Sequence, residues 1–301
     1  MLTYTGRRNH FGNLTNNTSS ANLTLGDTLM NAREKRIVRS YKWSFSERQF
    51  TTTTVASQQF YKLPYNYGKL LAPPTVTIGT YKWQPKQAAS RAQWDRLNMN
   101  TSYSSTYPLW YYIFNGQVGF WPIPSTSSYT ITMDYEIAPK DLSIADYTTG
   151  TITTIASAGT TVTGSGTAWT TNMAGLFLRI TAGTADNSGD GEWYEISSVT
   201  NATTLVLVKP YGGNAIAAGS AAYTIGQISV LPEAWQELPI YGACEDYFTS
   251  VQPDATKAAI YRTKGKEMTQ EMKMAEGSKT SDVTLNDDQI PTDNPNLYIR
   301  L

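Results

Sequence analysis

Any chemistry in this chain must be built with one histidine, His10, and one cysteine, Cys244. A nucleophile needs its base within hydrogen-bond reach, and a zinc site of the usual kind needs four sulfur or nitrogen ligands. Neither device is expected here. Cys244 falls among apolar residues at helical spacing and reads as an inert buried thiol, and with one cysteine an internal disulfide is excluded. The run Thr163, Gly164, Ser165, Gly166, Thr167 has the glycines of a phosphate loop but not its lysine, so it reads as a turn. Asp186, Asn187, Ser188, Gly189, Asp190 and Gly191 alternate oxygen ligands as a calcium loop does, yet Ser197 stands where the bidentate Glu belongs. Glu192 and Glu195, three apart on a strand, point to opposite faces and cannot share a substrate atom. The rings of Tyr107, Trp110, Tyr111, Tyr112, Phe114, Phe120 and Trp121 have the surface to stack bases or sugars, with core packing as the simpler use. No catalytic constellation emerges, and no cofactor or metal is expected.

The totals point the same way. Across 301 residues the formal net charge is zero, and charged residues make up 16%, well under the usual share of about a quarter. Tight non-specific binding of nucleic acid needs an excess of Lys and Arg, which is missing. No apolar run approaches the roughly 20 residues of a membrane span, and the N-terminus lacks the apolar core of a secretory signal. A mostly β chain with a few helices and no membrane partner is expected.

Residues 1–23 are polar, rich in Asn, Thr and Ser, and without period, as in an extended arm. A helix is expected from about residues 24–27 to Ser40, with Leu25, Leu29, Ala32, Ile37 and Val38 on its apolar side. Its basic cluster, Arg33, Lys35, Arg36 and Arg39 with Glu34 the only opposite charge inside it, is either a solvated face near a helix C-terminus or a surface turned to an acidic partner or passing DNA. Strands are expected over 50–63 and 75–82, with a turn at 64–68, and a short helix over 85–97. Asn115-Gly116 sets a hairpin between 109–114 and 118–121, and 129–137 adds a strand. Over residues 146–228 Thr, Ser, Gly and Ala dominate, and six short strands alternate with turns, the pattern of a small all-β sandwich or barrel. That segment reads as a domain inserted into a core made of 24–145 and 229–276.

Residues 232–274 read as two helices separated by Pro253. In the second, Ala258, Tyr261, Gly265, Met268, Met272 and Ala275 recur at steps of three and four, a narrow seam capped by Asp254. One glycine and two methionines make the seam small and soft, so its residues are candidates for contact with another subunit or partner. Residues 277–301 form a tail with an acidic bias, expected to be loose in the free subunit, with Tyr298, Ile299 and Leu301 as candidate anchors on a partner. The expected fold class is α+β: a helical bundle of one N-terminal helix, one short helix and a C-terminal helical hairpin, with an antiparallel sheet and the inserted β domain.

Several stretches resemble the head-to-tail adaptor, or connector, proteins of tailed bacteriophages. They are Leu25 to Glu34 running on to Tyr41-Lys42-Trp43-Ser44-Phe45, then Phe60 to Leu70 around Leu63-Pro64, then Tyr111 to Pro122 with Tyr129 to Tyr135. Last come Leu231 to Trp235, Ile240 to Ala243 and Ala255 to Tyr261. Pro239 departs from the family's unbroken helix and implies a kink or a helix that starts there. The resemblance implies a homo-oligomeric, twelve-fold ring under the portal protein of a DNA-filled capsid. Such a ring passes genomic DNA without holding it and carries downstream tail or nozzle proteins. It would act at the head-tail junction of the virion, after assembly in the host cytoplasm. Arg33, Arg36 and Arg39 are then candidates to face the channel, and a neutral chain suits a conduit. A reading from another class is a carbohydrate- or receptor-binding module of a phage tail or cell-surface protein, using the aromatic cluster and the β insertion.

Overall fold

The computed structural model describes residues 1–99, 103–105, 107–183, 188–217 and 219–276. Where an extended arm is expected, the chain forms helix α1 (Tyr4–Thr15). The Thr3 hydroxyl accepts from the Gly6 amide at 3.1 Å to start it, and Asn16, with φ of 52°, closes it. Its inward face is Tyr4, Arg7, Phe11 and Thr15, a helical period written in residue types that hydropathy does not flag. Helix α2 (Ser20–Ser40) starts four residues before the expected point, capped by Ser19, so two N-terminal helices replace the single one expected. Its buried positions come at every fourth residue: Asn22, Gly26, Met30, Glu34 and Val38. At Gly26 the Phe11 ring crosses so closely that a Cβ would overlap it. Trp43, fully buried just beyond α2, donates its indole N–H to the Ile37 carbonyl at 2.9 Å and closes the helix end.

Arg7 and Glu34 form an ion pair with side chains only 1% and 3% exposed. The other Glu34 oxygen accepts from the Ser229 hydroxyl at 2.8 Å and the Val230 amide at 3.3 Å. Arg7 also donates to Asn31 Oδ1 at 2.6 Å, and Asn31 exchanges two 3.1 Å bonds with the backbone of Leu142. Beside this node, Thr3 donates to Asp146 at 2.7 Å and the Tyr4 amide donates to the Gln227 carbonyl at 2.8 Å. The Gln227 side chain binds the backbone of Asp141, Ser143 and Ile144 at 2.7 to 3.0 Å. The first two helices therefore grip both chain segments that lead into and out of residues 146–228.

Beyond α2 the chain builds two sheets. One contains β1 (Glu47–Thr53), β3 (Tyr67–Leu70), β4 (Thr75–Ile78), β5 (Tyr81–Trp83) and β11 (Thr130–Ile137), with β11 paired to β1 on one side and to β3 and β4 on the other. The other runs β2 (Phe60–Lys62), β9 (Gln117–Trp121), β8 (Trp110–Phe114), β6 (Lys86–Gln87). Tyr61, Val76, Tyr111, Val118, Phe120, Ile131 and Met133 share one core between them. The expected strand over 75–82 is a hairpin folded at Gly79, whose φ of 59° suits glycine. The expected helix over 85–97 begins as β6 and becomes helical only at α3 (Arg91–Leu97), once Ser90 caps the Gln93 amide. The sheet system is not wholly antiparallel: β6 runs parallel to β8, and β7 (Ser104–Ser105) parallel to β10 (Ile123–Pro124). Asn115 and Gly116 both take positive φ in the expected hairpin turn.

Residues 151–226 carry six strands: β12 (Thr151–Ile155), β13 (Thr161–Ser165), β14 (Phe177–Ile180), β15 (Trp193–Asn201), β16 (Thr204–Leu207) and β17 (Tyr223–Gly226). They form one sheet in the order β12-β13-β16-β15-β14-β17. Bridges from Tyr147 to Ile225, Ile152 to Ala221 and Ile155 to Ile216 draw its two ends together, so the sheet curls around a core of its own. The chain then forms α4 (Leu238–Ser250), with Pro239 in its first turn, and α5 (Ala255–Glu276). Phe11, Met30, Ile240, Cys244, Tyr247 and Ala258 bring α1, α2, α4 and α5 into one cluster, so the fold is a mixed α+β one.

Replacing Arg7 by Met strands the Glu34 carboxylate in the interior and should cost about 3–5 kcal/mol. Adding Glu34→Gln removes the stranded charge and keeps an acceptor for Ser229, so the double variant should recover much of that loss. Urea unfolding followed by circular dichroism measures both.

Candidate functional site: a basic groove beside the last helix

The periodic seam of α5 is used unevenly. Ala258 and Met272 are buried within the subunit, Ala258 beside Phe248 and Met272 among Val38, Trp43 and Leu238. Tyr261 stacks on Phe248 with ring centroids 5.8 Å apart, and Met268 packs at the edge of the Met272 cluster. At Gly265, halfway between, a side chain would have nothing to touch: a Cβ there would meet no atom within 4 Å. Its position is the floor of a groove of about 800 Å3 between α2, α4 and α5. The tightest seam positions are therefore covered by the chain's own helices, and the gap at Gly265 stays open.

The groove is basic. Arg33, Arg36, Arg262, Lys266 and Lys273 line it, against one carboxylate, Glu245, with Ile37 and Leu238 as apolar floor. Arg33 is already neutralised: it forms a two-pronged pair with Asp246 and reaches Glu245 at 3.5 Å. The Asp246 hydrogen bond holds its guanidinium pKa above the usual value despite partial burial. Arg262 pairs with Glu245 at 2.7 Å. Among the described residues, no carboxylate comes within ion-pair distance of Arg36, Lys266 or Lys273. Arg36 and Arg39 are exposed, whereas Arg33 and Lys35, which pairs with Asp141 at 2.6 Å, are half-buried and already matched. The groove joins residues more than two hundred positions apart, a juxtaposition that no local pattern announces.

The other candidates from the sequence find different places. Cys244 is fully buried and burial pushes its thiol up to about 12, the opposite of what a nucleophile needs. Tyr111 and Phe120 are core residues, and Trp110, Tyr112, Phe114 and Trp121 are half-buried. Tyr112 stacks on the Trp94 ring of α3 at 5.8 Å, and Phe60 meets Phe114 edge-on at 5.4 Å. Only Tyr107 of that cluster offers much open ring, which leaves little platform for a sugar or base. Of the calcium-like run, Asp186 and Asn187 lie outside the described residues, and the Asp190 carboxylate is taken by the Tyr194 hydroxyl. Gly166 sits in a turn with φ of 66°. The Asp254 side chain accepts the Lys257 amide at 3.0 Å and caps α5, a bond that holds its carboxyl below the usual range. Tyr298, Ile299 and Leu301 lie outside the described residues. Among the described residues no His, Cys, Asp and Glu side chains cluster as metal ligands, and no helix is long and apolar enough to cross a membrane.

The fold presents contact surface: a helical layer with an open groove, two sheets sharing a core, and a curled sheet held at its neck. The SU10 adaptor protein family matches residues 3–159, more than half of the 301 residues, and the chain belongs to that family of phage structural adaptors. The match begins at Thr3, so it takes in α1, and it ends inside the first hairpin of the curled sheet, ahead of α4 and α5. No curated protein matches the chain.

Two glycine substitutions separate a filled crossing from an open one. Gly26→Ala, which drives a methyl into Phe11, should cost about 1–3 kcal/mol. Gly265→Ala has space for its methyl and should gain about 0.5–1 kcal/mol from helix propensity. Denaturant midpoints of the two variants against the parent chain check both signs.

Proposed function

We propose that this chain is the subunit of a ring, twelve-fold by likeness to its family, that docks beneath the portal and extends the DNA channel toward the tail. The observation that carries the reading is the family match over residues 3–159. Physical features agree with it. The formal net charge is zero, which suits a wall along which DNA must slide. Helix α5 turns an unpartnered face outward, where Ala255, Ala259, Ile260 and Thr263 edge a shallow depression of about 680 Å3 and Ile260 is 49% exposed. That face would meet the next copy in the ring. Tyr261 and Met268, only part covered, and Gly265 remain open to a partner as well. The curled sheet of residues 146–228 would be an independent module on the adaptor core, and Arg36 and Arg39 would face an acidic partner or passing DNA. Tyr298, Ile299 and Leu301 would anchor the tail on the portal. Fixing a tail of this length costs about 1–2 kcal/mol per residue, and burying three apolar side chains returns only about 1.5–3 kcal/mol each. The anchor therefore needs added backbone hydrogen bonds, as in strand addition, and the many copies of a ring.

The direct test is to mix the protein with purified portal rings and weigh the products in solution. A complex of ring stoichiometry is expected, and deletion of residues 295–301 should weaken it and release packaged DNA from assembled heads. Persistence of the protein as a monomer beside the portal would refute the docking.

The module makes a separate prediction. Replacing residues 147–225 by a short Gly-Ser linker, which keeps the clasp at Asp146 and Gln227, should leave the helical circular dichroism of the core and its portal binding unchanged. Loss of helical signal would show the curled sheet to be part of the core.

A further inference from the structure

Helix α5 carries two surfaces of opposite sign, and neither finds a partner within the subunit. On one side is the groove, where Arg36, Lys266 and Lys273 meet no carboxylate among the described residues and surround the gap at Gly265. On the other side is a ridge. Glu267 and Glu271 are exposed there, one turn apart, and among the described residues no cation comes within ion-pair distance of either. Lys264, three residues before Glu267, lies instead over the Tyr241 ring at 5.5 Å. Ile260 and Met274 flank the acidic pair and are 49% and 72% exposed.

Glu267 and Glu271 repel each other, as like charges four apart on a helix do, and each surface bears the charge that the other lacks. Their placement around α5 decides what they can meet. At about 100° per residue, Arg262, Gly265, Lys266, Thr269 and Lys273 centre on one direction. Ile260, Glu267, Glu271 and Met274 centre on another, roughly 150° round the helix. A helix cannot seat its ridge in its own groove. A two-fold dimer cannot use both surfaces either, because its one self-complementary patch would need them on the same side. The contact left is head to tail, the ridge of one copy in the groove of the next, and that is the kind a ring closes. Rotation about a ring axis also keeps corresponding atoms at equal height. Where α5 runs along the axis, Glu267 arrives about 1.5 Å from the level of Lys266, and Glu271 about 3 Å from that of Lys273. Each contact can be modest, since a closed ring holds every copy on two sides.

We propose that the occupant of the groove is a second copy of this chain. The α5 ridge of one subunit, through Glu267 and Glu271, seats against Arg36, Lys266 and Lys273 of the next, and Ile260 and Met274 are covered alongside. The proposal rests on the ring reading above and names the contact between its subunits; docking to the portal does not enter it.

Two full-length variants test it. Glu267→Lys with Glu271→Lys sets a cationic ridge beside a cationic groove, and Lys266→Glu with Lys273→Glu sets an acidic groove beside an acidic ridge. By sedimentation, free and on portal rings, each alone should associate with itself about tenfold more weakly than the parent chain. An equimolar mixture should recover the association, since every ridge then meets a groove of opposite sign, and so should the four substitutions in one chain. All four positions are exposed, and unchanged circular dichroism shows that the variants fold. Carbodiimide, which joins an amine to a carboxylate in contact, should link Lys266 or Lys273 of an isotope-labelled parent copy to Glu267 or Glu271 of an unlabelled one. Portal-bound rings without those links, or a mixture no better than its components, would overturn the proposal and leave the ring reading standing. Links between copies that never bind the portal would do the reverse. A groove that loses DNA binding on charge reversal, with no rescue by mixing, would belong to DNA and overturn the proposal.

Discussion

The structure turns on one buried ion pair. Arg7 and Glu34 are removed from water almost completely, and such a pair holds only if added hydrogen bonds offset its desolvation; the Arg7 Nε–H is left without a partner, and the other groups find theirs. Here the partners are chosen from far apart. Glu34 takes Ser229 and Val230, 195 and 196 positions away, and Arg7 works through Asn31 to the backbone of Leu142. The node therefore cannot form until α1, α2 and both necks of the curled sheet are in place. Moving one neck strips Glu34 of Ser229 and Val230, and moving the other strips Asn31 of Leu142, which makes the attachment of residues 146–228 specific in position.

Closing so long a loop looks costly, but loop entropy grows only with the logarithm of length. It shrinks further if the curled sheet forms first, because its Tyr147 to Ile225 bridge brings the two necks together before Glu34 binds them. The segment keeps a core of its own, and Tyr65, beside Gly175, meets it away from the neck. The second contact, Thr3 and Tyr4 with Asp146 and Gln227, works at the neck itself. The N-terminal stretch is the clasp of the fold.

How much of this was legible depended on whether a signal was local. Asn115-Gly116 named its hairpin, the strands of residues 151–226 lie where turn-bounded β-branched runs put them, and Pro239 opens α4 as a proline in a first turn should. Helix α1 escaped because its inward face is Tyr, Arg, Phe and Thr, so a polar composition concealed a helical period. The arginine reads as solvent-facing until the glutamate that buries it is known. The seam of α5 was legible as a stripe, but only Ala258 and Met272 of it are buried and Ala275 is exposed, and periodicity does not say what covers a face. Gly26 and Gly265 look alike in sequence and are opposite in space: one lets a ring cross, the other leaves a gap. Only the assembled helices show that difference.

The zero net charge is itself an average over unlike parts. Residues 277–301 hold four aspartates against Lys279 and Arg300, so the chain up to Glu276 carries a small positive excess. Part of that excess is gathered where Arg36, Lys266 and Lys273 meet around Gly265. On the proposed ring, an open groove of that sign would repeat once per subunit, and repeated cations are what retards a sliding polyanion. Pairing Arg33 with Asp246 and Arg262 with Glu245 already quenches two of the five positive side chains inside the fold. Arg36, Lys266 and Lys273 keep theirs, so a neutral total conceals a cationic strip along one groove of the helical layer.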